Sequence, residues 1–83
     1  MYYMYVLKSL KVEQFYIGST KDLKQRFKEH NSGSSIYTKK FLPWKLIYYE
    51  AYTSYKLAFR REKALKKRAK AWQELLKRLA IER

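Results

Sequence analysis

The sequence predicts a small α/β domain: a three-stranded, mainly antiparallel sheet flanked by helices, in the order β-β-α-β-α-α. Three observations predict it. Two short tyrosine-bearing runs, YYMYVL at residues 2–7 and QFYIGST at residues 14–20, open the chain, and a third, WKLIYYEAY, follows Pro43. Elsewhere the apolar residues recur at helical spacing, and polar turn-forming residues separate the segments.

Residues 2–9 carry Tyr, Met and Val with no helix breaker, and residues 14–19 repeat that character, so the first twenty residues read as a β-hairpin with Lys11–Glu13 as its polar turn. Ser19 or Thr20 can cap the first helix, with Asp22 in its first turn favoured by the helix dipole. Leu23 and Phe27 form its apolar stripe, and the helix runs to Asn31, where Ser32-Gly33 stops it. The connection from Ser32 to Pro43 is long for a passive linker and reads as a binding loop. Pro43 suits the entrance of the third strand, Trp44 to Tyr52, because a proline inside the strand would remove a ladder hydrogen bond.

Thr53 or Ser54 can cap the closing helical segment, in which Leu57, Ala58, Ala64, Leu65, Trp72, Leu75, Leu76 and Leu79 fall on one broad arc. Arg61 and Arg68 intrude on that arc. Either they reach toward acidic or phosphate groups, or the segment breaks near Ala69 into two packed helices, and the break is the preferred reading.

Eighty-three residues make one domain, spanning 1–83, and a chain of that size buries roughly 60% of the surface it exposes when unfolded. Twenty Lys plus Arg against seven Asp plus Glu give a net charge of +13, which repels itself unless anions cover part of the surface. Nucleic acid is the leading partner. An acidic membrane is the competitor, since residues 55–83 form a basic helical pattern, but the aromatics lie mostly in the strand-like runs. The absence of cysteine rules out disulfides and thiolate metal sites, and a single histidine rules out a multi-histidine centre. The N-terminus does not read as a signal peptide and no run is long enough for a membrane span, so a soluble cytoplasmic protein is expected.

Several side chains carry chemistry at telling positions. Arg26 and His30 lie one helical turn apart beside the Leu23/Phe27 stripe, where both can meet one ligand or simply stack on each other. Gly18 ends the second run, where its missing side chain admits a backbone or a phosphate, or forms a bulge. Tyr5 and Tyr16 sit on neighbouring strands, the ordinary setting for aromatic packing. Glu62, among Arg60, Arg61, Lys63, Lys66 and Lys67, reads either as a surface ion pair or as the one carboxylate able to hold Mg²⁺ with water and phosphate.

Taken in order, YMYVL, FYIGST, KDLKQRFKEHN, YTKKFLPWKLIYYE and FRREKALKK resemble the GIY-YIG nuclease superfamily, and in particular its small stand-alone bacterial members. The resemblance covers about residues 2–70. The YIG triad is literal at Tyr16-Ile17-Gly18, whereas the GIY triad appears as Tyr3-Met4-Tyr5 and keeps only its tyrosine. The family's two motif tyrosines then fall on Tyr5 and Tyr16, its helix arginine on Arg26, its histidine on His30 and its metal-binding glutamate on Glu62. The late asparagine of many members has no counterpart, because no Asn follows Asn31.

The resemblance implies a metal-dependent DNA endonuclease using Mg²⁺ or Mn²⁺, with branched or damaged DNA among its substrates and RNA an open alternative. A module that binds nucleic acid without cutting it is the other reading. In the nuclease, Glu62 would hold the metal, Arg26 would grip the phosphate with its planar fork, and either Tyr5 or His30 would accept the proton of water. A cationic surrounding is expected to lower the Tyr5 pKa toward a useful value. Lys39, Lys40, Tyr37 and Thr38, together with Gly18, are the expected nucleic-acid contacts, which position a backbone without reading its sequence.

Overall fold

The computed structural model describes residues 1–79. Its elements are β1 (Tyr2–Ser9), β2 (Phe15–Thr20), α1 (Leu23–Asn31), a short 3₁₀ turn (Thr38–Phe41), β3 (Trp44–Tyr52), α2 (Tyr55–Lys67) and α3 (Ala69–Leu79). The order β-β-α-β-α-α is as expected. The sheet is antiparallel throughout, and its strand order β2-β1-β3 makes β1 central and β2 an edge.

Alternation along β1 builds two cores. Met4 and Val6 point to one face, where they meet Leu65 of α2 and Leu75 of α3, with Phe15, Ile17 and Trp72 packed around them. Tyr5 and Leu7 point to the other face, where Trp44, Tyr16, Leu23, Phe27 and Phe41 close over them. The sheet therefore lies between an α2/α3 layer and an α1/3₁₀ layer, and residues of one strand serve both. The β1–β3 register passes from Val6 opposite Tyr48 to Leu7 opposite Leu46, which leaves Ile47 as the extra residue of a bulge.

The turns are held by side chains the sequence left unassigned. Buried Ser9 accepts from the Lys11 and Val12 amides at 3.0 and 3.2 Å and donates to the Phe41 carbonyl at 2.8 Å, tying the hairpin to the 3₁₀ turn. Asn31 donates to the Trp44 carbonyl and accepts from its amide, at 2.9 and 2.7 Å, which fixes where β3 starts relative to α1. Such bonds contribute about 1 kcal/mol each.

Helix ends follow expectation with one correction. Ser54 caps α2 by accepting from the Leu57 amide, and the segment breaks at Arg68, whose extended backbone separates α2 from α3. Gly33, at φ +85°, ends α1 in the left-handed region that glycine enters without penalty. The cap of α1 is Asp22, which accepts from the Gln25 amide at 3.0 Å, and not Ser19 or Thr20. Both of those remain in β2.

One feature of the closing arc differs from expectation, and another follows the alternative reading given for Arg61. Leu57 lies exposed at the outer side of α2 and adds nothing to the core. Arg61 reaches Glu50 on β3, with bonds of 3.0 and 3.2 Å, and Tyr48 and Tyr52 donate to the same carboxylate. Burial works against the Glu50 charge, yet the hydrogen bonds of Tyr52, Tyr48 and Arg61 prevail and hold its pKa below the usual carboxylate value. Arg61 is therefore a strut between α2 and β3.

Candidate active site

Leu23, Phe27 and His30 follow the i, i+4, i+7 spacing of one helix face, so the stripe that docks α1 on the sheet carries the imidazole inward with it. His30 is 0% exposed, deeper than the rim position expected for it. Its Nε2 lies 2.8 Å from the Tyr5 hydroxyl and its Nδ1 lies 2.9 Å from the Thr38 hydroxyl. The Tyr16 ring stands 4.7 Å from the imidazole centroid. Arg26, one turn earlier, pairs with Glu29 at 2.9 Å and brings its charge close to the same Tyr5 phenol. Tyr5, Tyr16, Arg26 and His30 thus gather around one phenolic oxygen.

The Thr38 hydroxyl is buried, and among the described residues its partner is His30 Nδ1; the Tyr5 hydroxyl is as deeply buried, with His30 Nε2 as its partner. A neutral imidazole accepts at one nitrogen and donates at the other, so one of these hydroxyls donates to the ring and the other accepts from it. Thr38 is itself anchored, since the Trp44 indole donates to its carbonyl at 2.8 Å. The loop expected between residues 32 and 43 therefore ends in a 3₁₀ turn whose first residue faces the core, and Thr38 lies too deep for the nucleic-acid contact expected of it. Tyr37, Lys39 and Lys40 remain on the surface of that turn.

Burial, followed by the neighbouring Tyr16, pushes the Tyr5 pKa well above that of a free phenol, and the nearby Arg26 cation does not reverse it. This overturns the expectation that cations would lower it. Burial and the Arg26 charge hold His30 down to about 4, so the imidazole is neutral at physiological pH.

Because His30 is the one histidine, its imidazole nitrogen chemical shifts can be followed unambiguously as pH is lowered. The expected result is a neutral ring that stays unprotonated until near pH 4. Titration near 6.5 would contradict the burial that holds it down. The sign for stability follows. The unfolded histidine protonates near 6.5, so the stability is full above that value and falls as pH drops toward 4, by up to about 3 kcal/mol.

Gly18 faces Tyr5 across the β1–β2 ladder. A Cβ there would lie 2.6 Å from the Tyr5 oxygen and 2.7 Å from its Cζ, so the space expected to admit a phosphate holds the phenol instead. Beyond Gly18, Ser19 points to the opposite face of the sheet and donates to Glu62 Oε1 at 2.6 Å, while Lys66 donates to Oε2 at 2.7 Å. Glu62 belongs to the α2/α3 layer and the phenol to the α1 layer, and they meet around the β2 edge, where the Lys66 ammonium lies 5.9 Å from the Tyr16 ring.

The Glu62 side chain is 12% exposed, and among the described residues no three His, Asp or Glu side chains converge on a common point. One hard carboxylate suits a divalent cation that shares its sphere with water and phosphate, and does not suit an all-protein cage. Ser19 and Glu29 are partners that the sequence reading missed, whereas Lys66 is one of the cations among which Glu62 was expected to pair. The i, i+3 spacing of Arg26 and Glu29 is the signal that could have found one of the two.

Comparison with known proteins shows the family to which the fold belongs. The family model described as the GIY-YIG catalytic domain matches residues 1–75, which takes in every element up to the middle of α3. The chain belongs to the GIY-YIG family. UPF0213 proteins of Streptococcus pyogenes serotypes M3 and M1 are each 42% identical over 74 residues, covering 88% of this chain and 79% of theirs. The solution NMR structure of a UPF0213 protein from Bacillus halodurans matches with a TM-score of 0.53 and 33% identity, covering 90% of this chain and 83% of that one. GIY-YIG domains form a nuclease superfamily, whose substrate is nucleic acid. Among the described residues no helix is long and apolar enough to cross a membrane.

Proposed function

We propose that this GIY-YIG domain is a cytoplasmic, metal-dependent endonuclease that hydrolyses DNA phosphodiester bonds, guided by DNA structure or by weak sequence preference. The observation that supports it best is the convergence of Tyr5, Tyr16, Arg26 and His30 on one phenolic oxygen beside the β2 edge, where Glu62 also arrives. Packing alone has no need of those five identities together.

Tyr5 is the general base in this reading. Tyr5 passes its own proton to His30 Nε2, 2.8 Å away, as its oxygen takes the proton of water. His30 cannot take that proton directly, because it is sealed from solvent with Nδ1 held by Thr38 and Nε2 facing Tyr5. It positions the phenol and receives the phenol's own proton. Arg26 exchanges Glu29 for the substrate phosphate, which its planar fork can meet with two hydrogen bonds. Glu62 would hold Mg²⁺ or Mn²⁺, and such an ion supplies Lewis-acid stabilisation of the phosphoryl and leaving oxygens.

A second reading, a nucleic-acid-binding module without turnover, is favoured by one observation. Both oxygens of Glu62 are engaged, by Ser19 and Lys66. Incubating the protein with Mg²⁺ or Mn²⁺ on plasmid and branched DNA, beside Tyr5→Phe, separates the two. Metal-dependent cutting that the variant loses supports the nuclease. Binding without cutting by the wild-type protein leaves the module.

A further inference from the structure

The surface of α2 beside Glu62 carries two exposed aromatic rings that no core claims. Tyr55 is 47% exposed and Phe59 42%, and their rings lie nearly parallel, with centroids 5.9 Å apart and planes 13° apart. Phe59 precedes Glu62 by three residues, which makes their side chains neighbours. The Tyr55 hydroxyl lies 3.5 Å from Ser19, the same serine that donates to Glu62. The rings therefore adjoin the carboxylate.

Advancing about 100° per residue around the helix places Glu62 at the edge of the buried face, the two rings next to it, and then an outward stripe of Lys56, Arg60, Lys63 and Lys67. The Lys63 ammonium already lies 5.4 Å from the centre of the Phe59 ring. Acid, aromatics and cations thus follow one another over one helix surface, matching the succession of a phosphate at the site, its base, and the phosphates that continue the strand. A paired base offers its faces only to its stacked neighbours, so a ring shelf at this place serves a base that is unstacked.

We infer that Tyr55 and Phe59 form a stacking shelf for an unpaired nucleotide next to the phosphate held at the Glu62 site, so that the preferred substrate carries a single-stranded stretch there. This rests on the nucleic-acid reading above and names its substrate class. The cations beside the rings favour a polyanion over a second copy of this equally cationic chain.

Binding without metal tests it. Fluorescence anisotropy in EDTA compares an oligothymidine strand, the same strand with a central stretch of abasic residues, and a duplex of equal length. Phe59→Ala is expected to weaken the base-bearing strand about five- to tenfold, the lower part of the range for base–aromatic stacking. The abasic strand and the duplex should stay within about twofold, and Phe59→Trp should restore the base-bearing strand. Equal loss on base-bearing and abasic strands, or no loss at all, overturns the shelf. If the wild-type protein binds none of the three, the nucleic-acid reading falls as a whole. Thermal melting of both variants checks that this exposed position leaves the fold intact.

Discussion

Glu62→Gln is expected to abolish DNA cleavage, by at least about a hundredfold or 2.7 kcal/mol of transition-state stabilisation, while leaving the protein folded. The two expectations have different physical sources. Gln retains an oxygen that can accept from Ser19 and leaves no charge on the largely buried side chain, while the Lys66 ammonium, 48% exposed, returns to water. A change in melting temperature of only a few degrees should therefore accompany the loss of cutting. The negative charge is what a divalent cation needs, and Gln cannot supply it. Cleavage at wild-type rate by Glu62→Gln would remove Glu62 from the metal role. Unfolding would show that Ser19 and Lys66 anchor α2 more firmly than their exposure suggests.

Gly18→Ala should be the most destabilising single-methyl change in the domain. The added carbon would lie 2.6 and 2.7 Å from the Tyr5 oxygen and Cζ and 3.1 Å from Tyr16 Cε2. None of these can step aside easily, since Tyr5 is buried and bonded to His30. Overpacking of this kind costs about 1–3 kcal/mol, or several to some twenty degrees of melting temperature in a domain this small. The same displacement moves the phenol from His30 and Arg26, so cleavage should fall even where the protein remains folded. Gly33→Ala supplies the contrast. No atom lies within 4 Å of a Cβ at position 33, and its cost comes from the positive φ alone, about 1 kcal/mol, with cutting preserved. Equal effects of the two substitutions would refute the close-approach role of Gly18.

The strands, the Ser54 cap and the break before Ala69 were legible because each depends on nearby residues. Alternation in β1, a serine ahead of an apolar arc, and an arginine that the arc cannot absorb are local signals. The cap of α1 was not, because Ser19, Thr20 and Asp22 are all competent caps, and what decides among them is how far β2 continues. The identities gathered at the site were visible through the family resemblance, whereas their depth was not. That His30 continues the Leu23/Phe27 stripe could have been read from spacing. That Thr38 would close over it depends on the 3₁₀ turn and on the Trp44 indole, which are fixed only once β3 has docked. The direction of the Tyr5 pKa was misread for a related reason: counting cations in the sequence gives the attraction but not the burial that outweighs it.

The placement of the phenol and the carboxylate on opposite sides of edge strand β2 has a consequence for synthesis of the chain. Tyr5, Tyr16, Arg26 and His30 leave the ribosome early, whereas Glu62 comes from the helix layer that docks on the far side. A nascent or truncated chain ending before α2 carries Tyr5, Tyr16, Arg26 and His30 but lacks both Glu62 and the Leu65 and Leu75 side chains that close the Met4/Val6 core. On the proposed reading, such a fragment has no carboxylate for the metal and does not cut DNA.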